Sequence, residues 1–455
     1  MLNECAYRAR PWASLMLAAA LLGGCAHYAP SPLRDPATVL APADRSLILK
    51  DAQAIDRPYL KPEAIDLSAP LSPNALGILA VLLNPDLKAL RTKTGVTDAQ
   101  AFAAGLLPDP TFQASFDKRI SGPDPFNGLA SQIGFDLSQL RTRAATRAAS
   151  EASKRQVRLD LAWAEWQAAG QARLLGVRIL ALTGQVAIAR TSAEAAERLF
   201  EASSRAAGRG DIPGADLDAR RQALLDIGAK ARTAEQDLVA ARADLNKQLG
   251  LPPETHLNIA PAPAPEAPPP AEQIVSKALA ARLDLQALRA GYGVAEGGLH
   301  VAVLNQFPNL SVTLAGARDT ANNWTAGPQV GFTLPLWNRN RGNIAIASAT
   351  RDQLKAEYEA RLFQTRAEIG AAVAGITAAR RQRADLSAQM PALERYAGAT
   401  RRASLRGDLS TATADAAQQA VRDRQLTLAQ LDQQISEQSI ALELLSGSLS
   451  QGWTQ

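Results

Sequence analysis

Alternation of apolar and polar residues marks four short segments of the chain, which occur as two pairs. The apolar positions are 112, 114 and 116 then 133, 135 and 137 in the first pair, and 310, 312 and 314 then 330, 332 and 334 in the second. A period of two is typical of a β-strand with one apolar face. The pattern predicts two hairpins, turning at 121–125 and 319–324, with strands at about 110–119, 129–138, 308–317 and 326–335.

Helical patterning follows each predicted hairpin and continues much further. Residues 140–208 contain no proline, and residues 343–405 contain only Pro391. At about 1.5 Å of rise per residue, the first of these helices is roughly 100 Å long. Each long helix ends at an Arg-Gly-Asp triplet and is followed by a return helix, at 215–249 and 411–445. The glycine of each triplet predicts a helix C-cap, and the aspartate predicts the N-cap of the return helix.

Three pairs of matching segments show that this unit occurs twice. The pairs are 86–91 with 284–289, at a spacing of 198 residues, and 132–137 with 329–334 and 209–211 with 406–408, at a spacing of 197. Matches in the same order indicate a tandem duplication. The predicted divisions are a signal peptide at 1–24, a lipidated extended arm at 25–72, a first repeat at 73–250, a Pro-rich linker at 251–271, a second repeat at 272–446 and a C-terminal tail at 447–455.

The predicted fold class is mainly α with membrane β, because the four strands have the length of tilted membrane-spanning strands. A small soluble sheet packed on helices is the alternative. Four strands cannot close a barrel, and an open edge in hydrocarbon leaves backbone groups unsatisfied at several kcal/mol each. Two chains would give eight strands around a filled interior, whereas three would give twelve strands around a water-filled lumen.

The N-terminus carries the pattern of a secretory signal. Arg8 and Arg10 precede an apolar run at 12–22, which is too short to span a membrane as a helix. The run ends in Leu-Gly-Gly-Cys at 22–25, which resembles the bacterial lipobox and implies lipidation of Cys25. An ordinary signal peptide with a chance cysteine is the alternative. In the lipoproteins that this segment resembles, an aspartate after the cysteine favours inner-membrane retention, and Ala26 here favours the outer membrane.

Composition and motifs argue against catalysis and nucleic-acid binding. The formal charge of +5 is spread over 455 residues with acidic and basic residues intermixed, so the sequence has no basic block for nucleic acid. The three histidines, at 27, 256 and 300, are far apart in sequence and show no metal-ligand spacing. A glycine motif begins at Gly291 and Gly293, but Glu296 occupies the position of its third glycine. The sequence predicts no catalytic residue, no metal site and no cofactor.

Residues 331–343, Gly-Phe-Thr-Leu-Pro-Leu-Trp-Asn-Arg-Asn-Arg-Gly-Asn, resemble the strand-to-helix junction of TolC-type outer-membrane efflux channels. The junction residues that this resemblance implies are Pro335, Trp337, Asn338, Arg341 and Gly342. The first repeat departs from the pattern, with Ser-Gln-Leu at 138–140. The resemblance covers essentially the whole mature chain and implies a homotrimer, in which a twelve-stranded barrel in outer-membrane lipid continues into a periplasmic α-helical barrel.

The same resemblance implies a passive exit duct of a tripartite efflux system, with a periplasmic adaptor and a proton-driven inner-membrane pump of the RND type as partners. The adaptor-docking tips would be Arg209, Gly210 and Asp211 in the first repeat and Arg406, Gly407 and Asp408 in the second. Asp216, and more weakly Asp415, would form the periplasmic gate.

Three kinds of cargo fit such a duct. We expect small molecules such as drugs, with metal-ion efflux and type I protein secretion as alternatives. A structural coiled-coil lipoprotein of the periplasm is the alternative from another class of protein. The four alternating strands count against it, because a rod has no use for lipid-facing strands.

Overall fold

The structure is a computed structural model that describes residues 28–41, 44–261 and 263–450. It divides into two units, Met1–Pro42 and Ala43–Gln455. The described part of the first unit contains a short helix, α1 (Pro36–Val39). The predicted signal peptide, Cys25 and the last five residues of the predicted tail lie outside the described residues.

The second unit contains both repeats. The first repeat and its arm comprise α2 (Arg45–Gln53), α3 (Pro73–Leu83), α4 (Pro85–Gly105), β1 (Thr111–Asp117), β2 (Gly128–Asp136), α5 (Ser138–Gly208) and α6 (Gly214–Leu249). The second repeat comprises α7 (Ala271–Ala281), α8 (Leu283–Leu304), β3 (Leu310–Arg318), β4 (Trp324–Phe332), α9 (Arg341–Leu405) and α10 (Thr411–Ser446). The predicted fold class, a tandem repeat of a strand hairpin and a long helical hairpin, is confirmed.

Local chemistry explains where several helices begin. The Ser72 hydroxyl accepts a hydrogen bond from the Ala75 backbone N–H (2.9 Å), and Pro73 occupies the first position of α3. The Asn84 side chain caps α4 in the same way through the Leu87 N–H (3.0 Å), again with a proline following it. An N-cap oxygen followed by proline is a strong helix start, because proline has no N–H to leave unpaired.

The strands form one antiparallel sheet in the order β1-β2-β3-β4. Pairing of β2 with β3 joins the two repeats, and β1 and β4 are the outer strands. β4 begins at Trp324, which pairs with Arg318, so the second turn is shorter than the predicted 319–324. The pairing of β3 with β4 therefore extends the second hairpin beyond the residues that alternate in sequence.

The register separates the two faces of the sheet. One row runs from Phe112 through Ile133 and Leu314 to Pro328, and the adjacent row from Gln113 through Gln132 to Ala315. Directly opposed residues lie on the same face of a sheet. One face is therefore mainly apolar, and the other carries glutamine, serine, threonine and glycine.

The long helices follow the same order as the strands. α5 packs against α4 and α6 and also against α8 and α10, and α9 packs against α8 and α10. The long helices therefore form one layer. Across this layer, α4 and α6 lie at one end, α5 comes next, α8 and α10 follow, and α9 lies at the other end. A stretch of α5 is long and apolar enough to cross a membrane, but 44% of it is buried within the chain.

The main hydrophobic core lies between the N-terminal arm and the first repeat. Ile55, Leu60 and Ile65 of the arm are buried there together with α3, whose Ile78 and Leu79 are completely inaccessible. The Pro-rich linker is also attached here, because the Leu71 backbone N–H donates to the carbonyl of Asn258 (2.8 Å). Residues 48–71 of the arm thus pack on the first repeat and connect α3 with α5 and α6.

A buried carboxylate ties the arm to α4 and α5. Glu165, of which only 1% is exposed, accepts hydrogen bonds from Arg57 of the arm (2.5 Å) and Arg91 of α4 (2.7 Å). Tyr59 packs edge-on against Trp166 beside this cluster, with ring centroids 4.9 Å apart. Burial opposes ionisation of Glu165, but the hydrogen bonds from both arginines outweigh it, so the pKa of this carboxyl lies below its ordinary value.

The depressed pKa of Glu165 predicts a loss of stability in acid. A lowered folded-state pKa contributes stability that is present above the unfolded pKa of about 4.3 and is lost as the pH falls through the folded value. Glu165→Gln should destabilise the protein by about 2–3 kcal/mol near pH 7, below the full cost of breaking a buried pair because both guanidinium groups reach solvent. The difference in apparent Tm from wild type should shrink below about pH 4.

Circular dichroism of the protein in detergent would measure this difference. Glu201→Gln is the matched control, because Glu201 forms only an exposed contact with Arg205 at 4.0 Å. An equal loss in both variants, or a difference that does not depend on pH, would contradict the stabilising role of the ionised Glu165.

Candidate functional site: hairpin tips, gate and strand junction

The first hairpin tip is closed by backbone hydrogen bonds around a left-handed glycine. The Asp211 N–H donates to the carbonyl of Ala206 and the Gly210 N–H donates to that of Ala207, both at 2.9 Å. Gly210 has φ +80°. These two bonds define a Schellman C-cap of α5. The Arg209 guanidinium donates to the Asp211 carboxylate (2.8 Å), so this pair lies across the tip.

The second tip has the same geometry. The Asp408 and Gly407 N–H groups donate to Ala403 and Ser404 at 3.0 Å each, and Gly407 has φ +83°. Arg406 donates to the Asp408 carboxylate at 2.9 Å. The two repeats therefore present two equivalent tips, each with one exposed arginine and one exposed aspartate.

The predicted role of these aspartates as N-caps is wrong. The N-cap residue of each return helix lies two residues after the aspartate. It is Pro213 in the first repeat and Ser410 in the second. Ser410 accepts the hydrogen bond of the Thr413 N–H (3.1 Å). Asp211 and Asp408 instead pair with the arginine two residues before them, because the left-handed glycine brings these side chains together.

The two gate candidates have different surroundings. Asp216 is exposed in the first turn of α6, where a carboxylate also interacts favourably with the helix dipole. Asp415 is half-buried and lies near Arg422. Burial lowers the pKa of Arg422, while Asp415 and Asp423 act in the opposite direction. Asp415 is therefore less accessible than Asp216, and the exposed Asp216 is the stronger candidate for a contact between copies.

The strand-to-helix junction of the second repeat is an exposed loop with an unusual backbone. Asn340 has φ +56° and precedes α9, and its side chain donates to the carbonyl of Ala302 (2.7 Å). The Arg341 N–H donates to the carbonyl of Asn338 (3.0 Å). Trp337 is 86% exposed directly below the sheet. An exposed tryptophan at the end of a membrane strand is typical of the lipid–water interface.

The remaining junction residues have supporting positions. Pro335 lies in the loop between β4 and α9, and its carbonyl accepts a hydrogen bond from Arg339 (3.4 Å). Gly342 lies in the first turn of α9, where an added Cβ would meet nothing within 4 Å. Within the described residues there is no group of three or more His, Cys, Asp or Glu side chains that could hold a metal ion.

Sequence analysis missed the polar contacts that join the repeats. Between α5 and α10, Arg173 pairs with Glu443 (2.7 Å), Arg178 pairs with Glu437 (2.8 Å) and Gln185 donates to Gln433 (2.6 Å). The partners are far apart in sequence, and their types alone do not identify them. The repeat spacing of 197 residues was the one signal in the sequence that bears on these contacts. It predicts that helices of the two repeats are equivalent, but it does not predict that α5 contacts α10.

Comparison with known proteins agrees with this architecture. The family model described as outer membrane efflux protein matches residues 274–448. The cobalt-zinc-cadmium resistance protein CzcC of Cupriavidus metallidurans is 27% identical over 299 residues, covering 64% of this chain and 69% of CzcC.

Solved structures give the same fold. The CmeC outer membrane channel of Campylobacter jejuni matches with a TM-score of 0.67 at 14% identity, covering 93% of this chain and 94% of CmeC. The outer membrane protein VceC of Vibrio cholerae matches with a TM-score of 0.67 at 15% identity, covering 83% of this chain and 96% of VceC.

The family-model match and the similarity to CzcC indicate an outer-membrane channel that extends into the periplasm, and the solved structures share its fold. Residues 274–448 match the family model of outer membrane efflux proteins, and the predicted resemblance to TolC-type outer-membrane efflux channels is confirmed. This family consists of transport channels and not of enzymes, in agreement with the predicted absence of catalytic function.

The tip geometry predicts that bulk at Gly407 blocks docking without breaking the turn. A Cβ at this position would meet nothing within 4 Å, so the cost of a side chain is the positive φ alone, about 1–2 kcal/mol. Gly407→Trp should therefore leave the protein in the membrane but abolish export, whereas Gly407→Ala should export nearly normally. Membrane levels and cargo export from cells would be measured for both variants. Equal loss in both would assign the effect to the turn, and normal export by Gly407→Trp would remove this tip from the docking surface.

The exposure of Asp216 predicts that it controls ion selectivity. Copies of Asp216 brought together by symmetry would form a negative ring, which concentrates cations at a constriction. Asp216→Asn should lower the cation-to-anion permeability ratio roughly twofold to tenfold and weaken block by divalent ions. Planar-bilayer recordings would measure both properties. Asp218→Asn is the control, because Asp218 is an exposed neighbour that contacts Arg221 at 3.6 Å. Unchanged selectivity in the Asp216 variant would exclude it from the gate.

Proposed function

We propose that three copies of this chain form a passive exit duct through the outer membrane. The observation that carries the proposal is the four-stranded sheet with one apolar face and with β1 and β4 as outer strands, each of which is unpaired along one edge. Such edges must be paired in hydrocarbon, and twelve strands from three copies leave room for a water-filled lumen. The face that carries Gln113 and Gln132 lines this lumen, and the face that carries Phe112 and Ile133 contacts lipid.

The duct works with a periplasmic adaptor and an inner-membrane pump. Energy for transport comes from the pump, since the described residues form a wall and two tips and hold no grouping suited to catalysis. The two equivalent tips, each with its exposed Arg-Asp pair, are the adaptor contact. Cys25 carries the lipid anchor, and an intact mass of the mature protein without added lipid would remove the anchor from the proposal.

Divalent metal cations are the preferred cargo. The relative CzcC bears a name that states resistance to cobalt, zinc and cadmium, and this reverses the order expected from the sequence, which placed small molecules first. A passive duct does not have to bind its cargo, so a metal site in the wall is not required. Small organic molecules remain the second candidate, because the polar, largely uncharged face around Gln113 and Gln132 would not discriminate against them.

Resistance assays would test the function and the cargo together. The chain would be expressed with an adaptor and a metal-exporting pump from its own genome, in a host whose own outer-membrane channel has been deleted. We expect a several-fold rise in tolerance to cobalt, zinc and cadmium that Gly407→Trp does not give. A rise in tolerance to lipophilic drugs alone would assign the cargo to small molecules. No rise in either tolerance, with the protein present in the outer membrane, would contradict the proposed duct.

A further inference from the structure

The two turns of the sheet lie at the end that is farthest from the helices. In each hairpin a helix leads into the first strand, α4 or α8, and another follows the second strand, α5 or α9. All four helices therefore connect at the opposite end of the sheet. Because the helices extend into the periplasm, the turns at 118–127 and 319–323 face the cell exterior, at the level of the outer-leaflet headgroups.

One arginine lies at this outer end on the apolar face of the sheet. Leu314 pairs with Ile133 on that face, and alternation along β3 puts Arg318 on the same side. Arg318 is directly opposite Leu129 of β2 and Trp324 of β4. The face that contacts lipid in the proposed duct thus carries a positive charge at its outer end.

Two aromatic rings hold this guanidinium in place. Its central carbon lies 5.4 Å from the centroid of the Phe126 ring and 5.9 Å from a ring centroid of Trp324. Phe126 is fixed in turn, because its backbone N–H donates to the carbonyl of Thr320 (3.1 Å). Cation–π contacts of this kind orient an arginine without using its N–H groups, so these remain available to a ligand.

Arg318 forms no ion pair within the part of the chain that the structure describes. Its hydrogen bond there is a long one, from Nη2 to the carbonyl of Asn127 at 3.5 Å, and its Nε has no partner. Two acidic side chains of the turns are engaged elsewhere. Asp124 accepts a hydrogen bond from the Thr320 hydroxyl (2.6 Å), and Asp319 accepts from two backbone N–H groups of its own turn (3.0 and 2.8 Å). A charge on a lipid-facing surface without an internal partner points to a ligand.

Phosphate is the chemical group that fits this position. Arginine binds phosphate through parallel N–H donors, and such charge-assisted bonds are about twice as strong as bonds between neutral groups. The outer leaflet of this membrane consists mainly of a glycolipid that carries phosphate on its sugars. The acyl chains of such a lipid would lie along the apolar rows below Arg318, where Trp324 is 73% exposed and Leu314 is 60% exposed.

We propose that Arg318, held between Phe126 and Trp324, binds a phosphate group of the outer-leaflet glycolipid. The ligand is a lipid headgroup and not free phosphate, because Arg318 lies on the face that contacts acyl chains. The inference rests on the proposed duct, since the barrel assigns this face to lipid. Three copies would hold three such lipids around the outer rim of the barrel.

Lipid retention by the purified full-length protein would test this site. The protein in mild detergent would be mixed with lipid A that carries two phosphates, and bound lipid would be counted by native mass spectrometry. Arg318→Gln should retain about fivefold less lipid A than wild type at the same lipid concentration. Arg119→Gln is the matched control and should retain the wild-type amount, because Arg119 is at the same end of the sheet but donates to the carbonyl of Gly122. Dephosphorylated lipid A should bind equally to all three proteins.

A second variant keeps the test decisive if loss of the arginine disturbs the turns. Trp324→Leu leaves the charge and removes one ring, so it should retain an amount between those of wild type and Arg318→Gln. Equal retention by wild type and both variants, or equal retention of phosphorylated and dephosphorylated lipid A by wild type, would overturn the site. Displacement of lipid A by inorganic phosphate at the same concentration would assign the site to a free anion and overturn the lipid assignment.

The same spectra report the number of copies, which distinguishes this site from the duct. Trimers whose retention of lipid A does not depend on Arg318 would overturn the lipid site alone. A monomer in this measurement would overturn the proposed duct, and with it the lipid-facing surface on which the site rests.

Discussion

Unpaired outer strands are the constraint on which the rest of this structure depends. Every backbone N–H and C=O in hydrocarbon needs a partner within the protein, and the outer edges of β1 and β4 have none in the described sheet. Each strand is joined directly to a helix, so the helical layer repeats the strand order, with α4 and α6 at one end and α9 at the other. The open sides of sheet and helical layer therefore coincide, and one neighbouring copy would complete both.

In each repeat a side-chain hydrogen bond connects the end of the return helix to the start of a shorter helix, but the donor residue differs. In the first, the Asn84 amide donates to the carbonyl of Gln248 (2.9 Å), which connects the start of α4 to the end of α6. In the second, the Arg282 guanidinium donates to the carbonyl of Leu445 (2.9 Å). Arg282 is completely buried and is neutralised by Asp284, whereas Asn84 needs no counter-charge. The acceptor carbonyls, of Gln248 and Leu445, are 197 residues apart. Equivalent positions therefore accept the hydrogen bond in both repeats, although the donor side chain differs.

Features that depend on residues close together in sequence were predictable, and contacts between residues far apart in sequence were not. The long helices and the tips depend on local signals, and the glycine of each triplet was correctly predicted to cap its helix. The error at Asp211 arose because two further residues precede the return helix, so its carboxylate meets Arg209 instead of an N–H group. The Glu165 cluster depends on partners 74 and 108 positions away, and no local pattern carries that information.

Divergence between the repeats distinguishes the contact of one repeat with the other from the helix surfaces equivalent to it. Two identical repeats would present identical surfaces, and a helix pair could then form equally well within a chain or between chains. Ion pairs such as Arg178 with Glu437 join α5 to α10, while the equivalent positions are Gly375, which lies beside Gln438 of the same chain, and the exposed Ala240. Burial of Glu437 without Arg178 is costly, so the charges hold each chain to its own fold. The equivalent positions carry no such charges, so these ion pairs specify the contact between the two repeats of one chain.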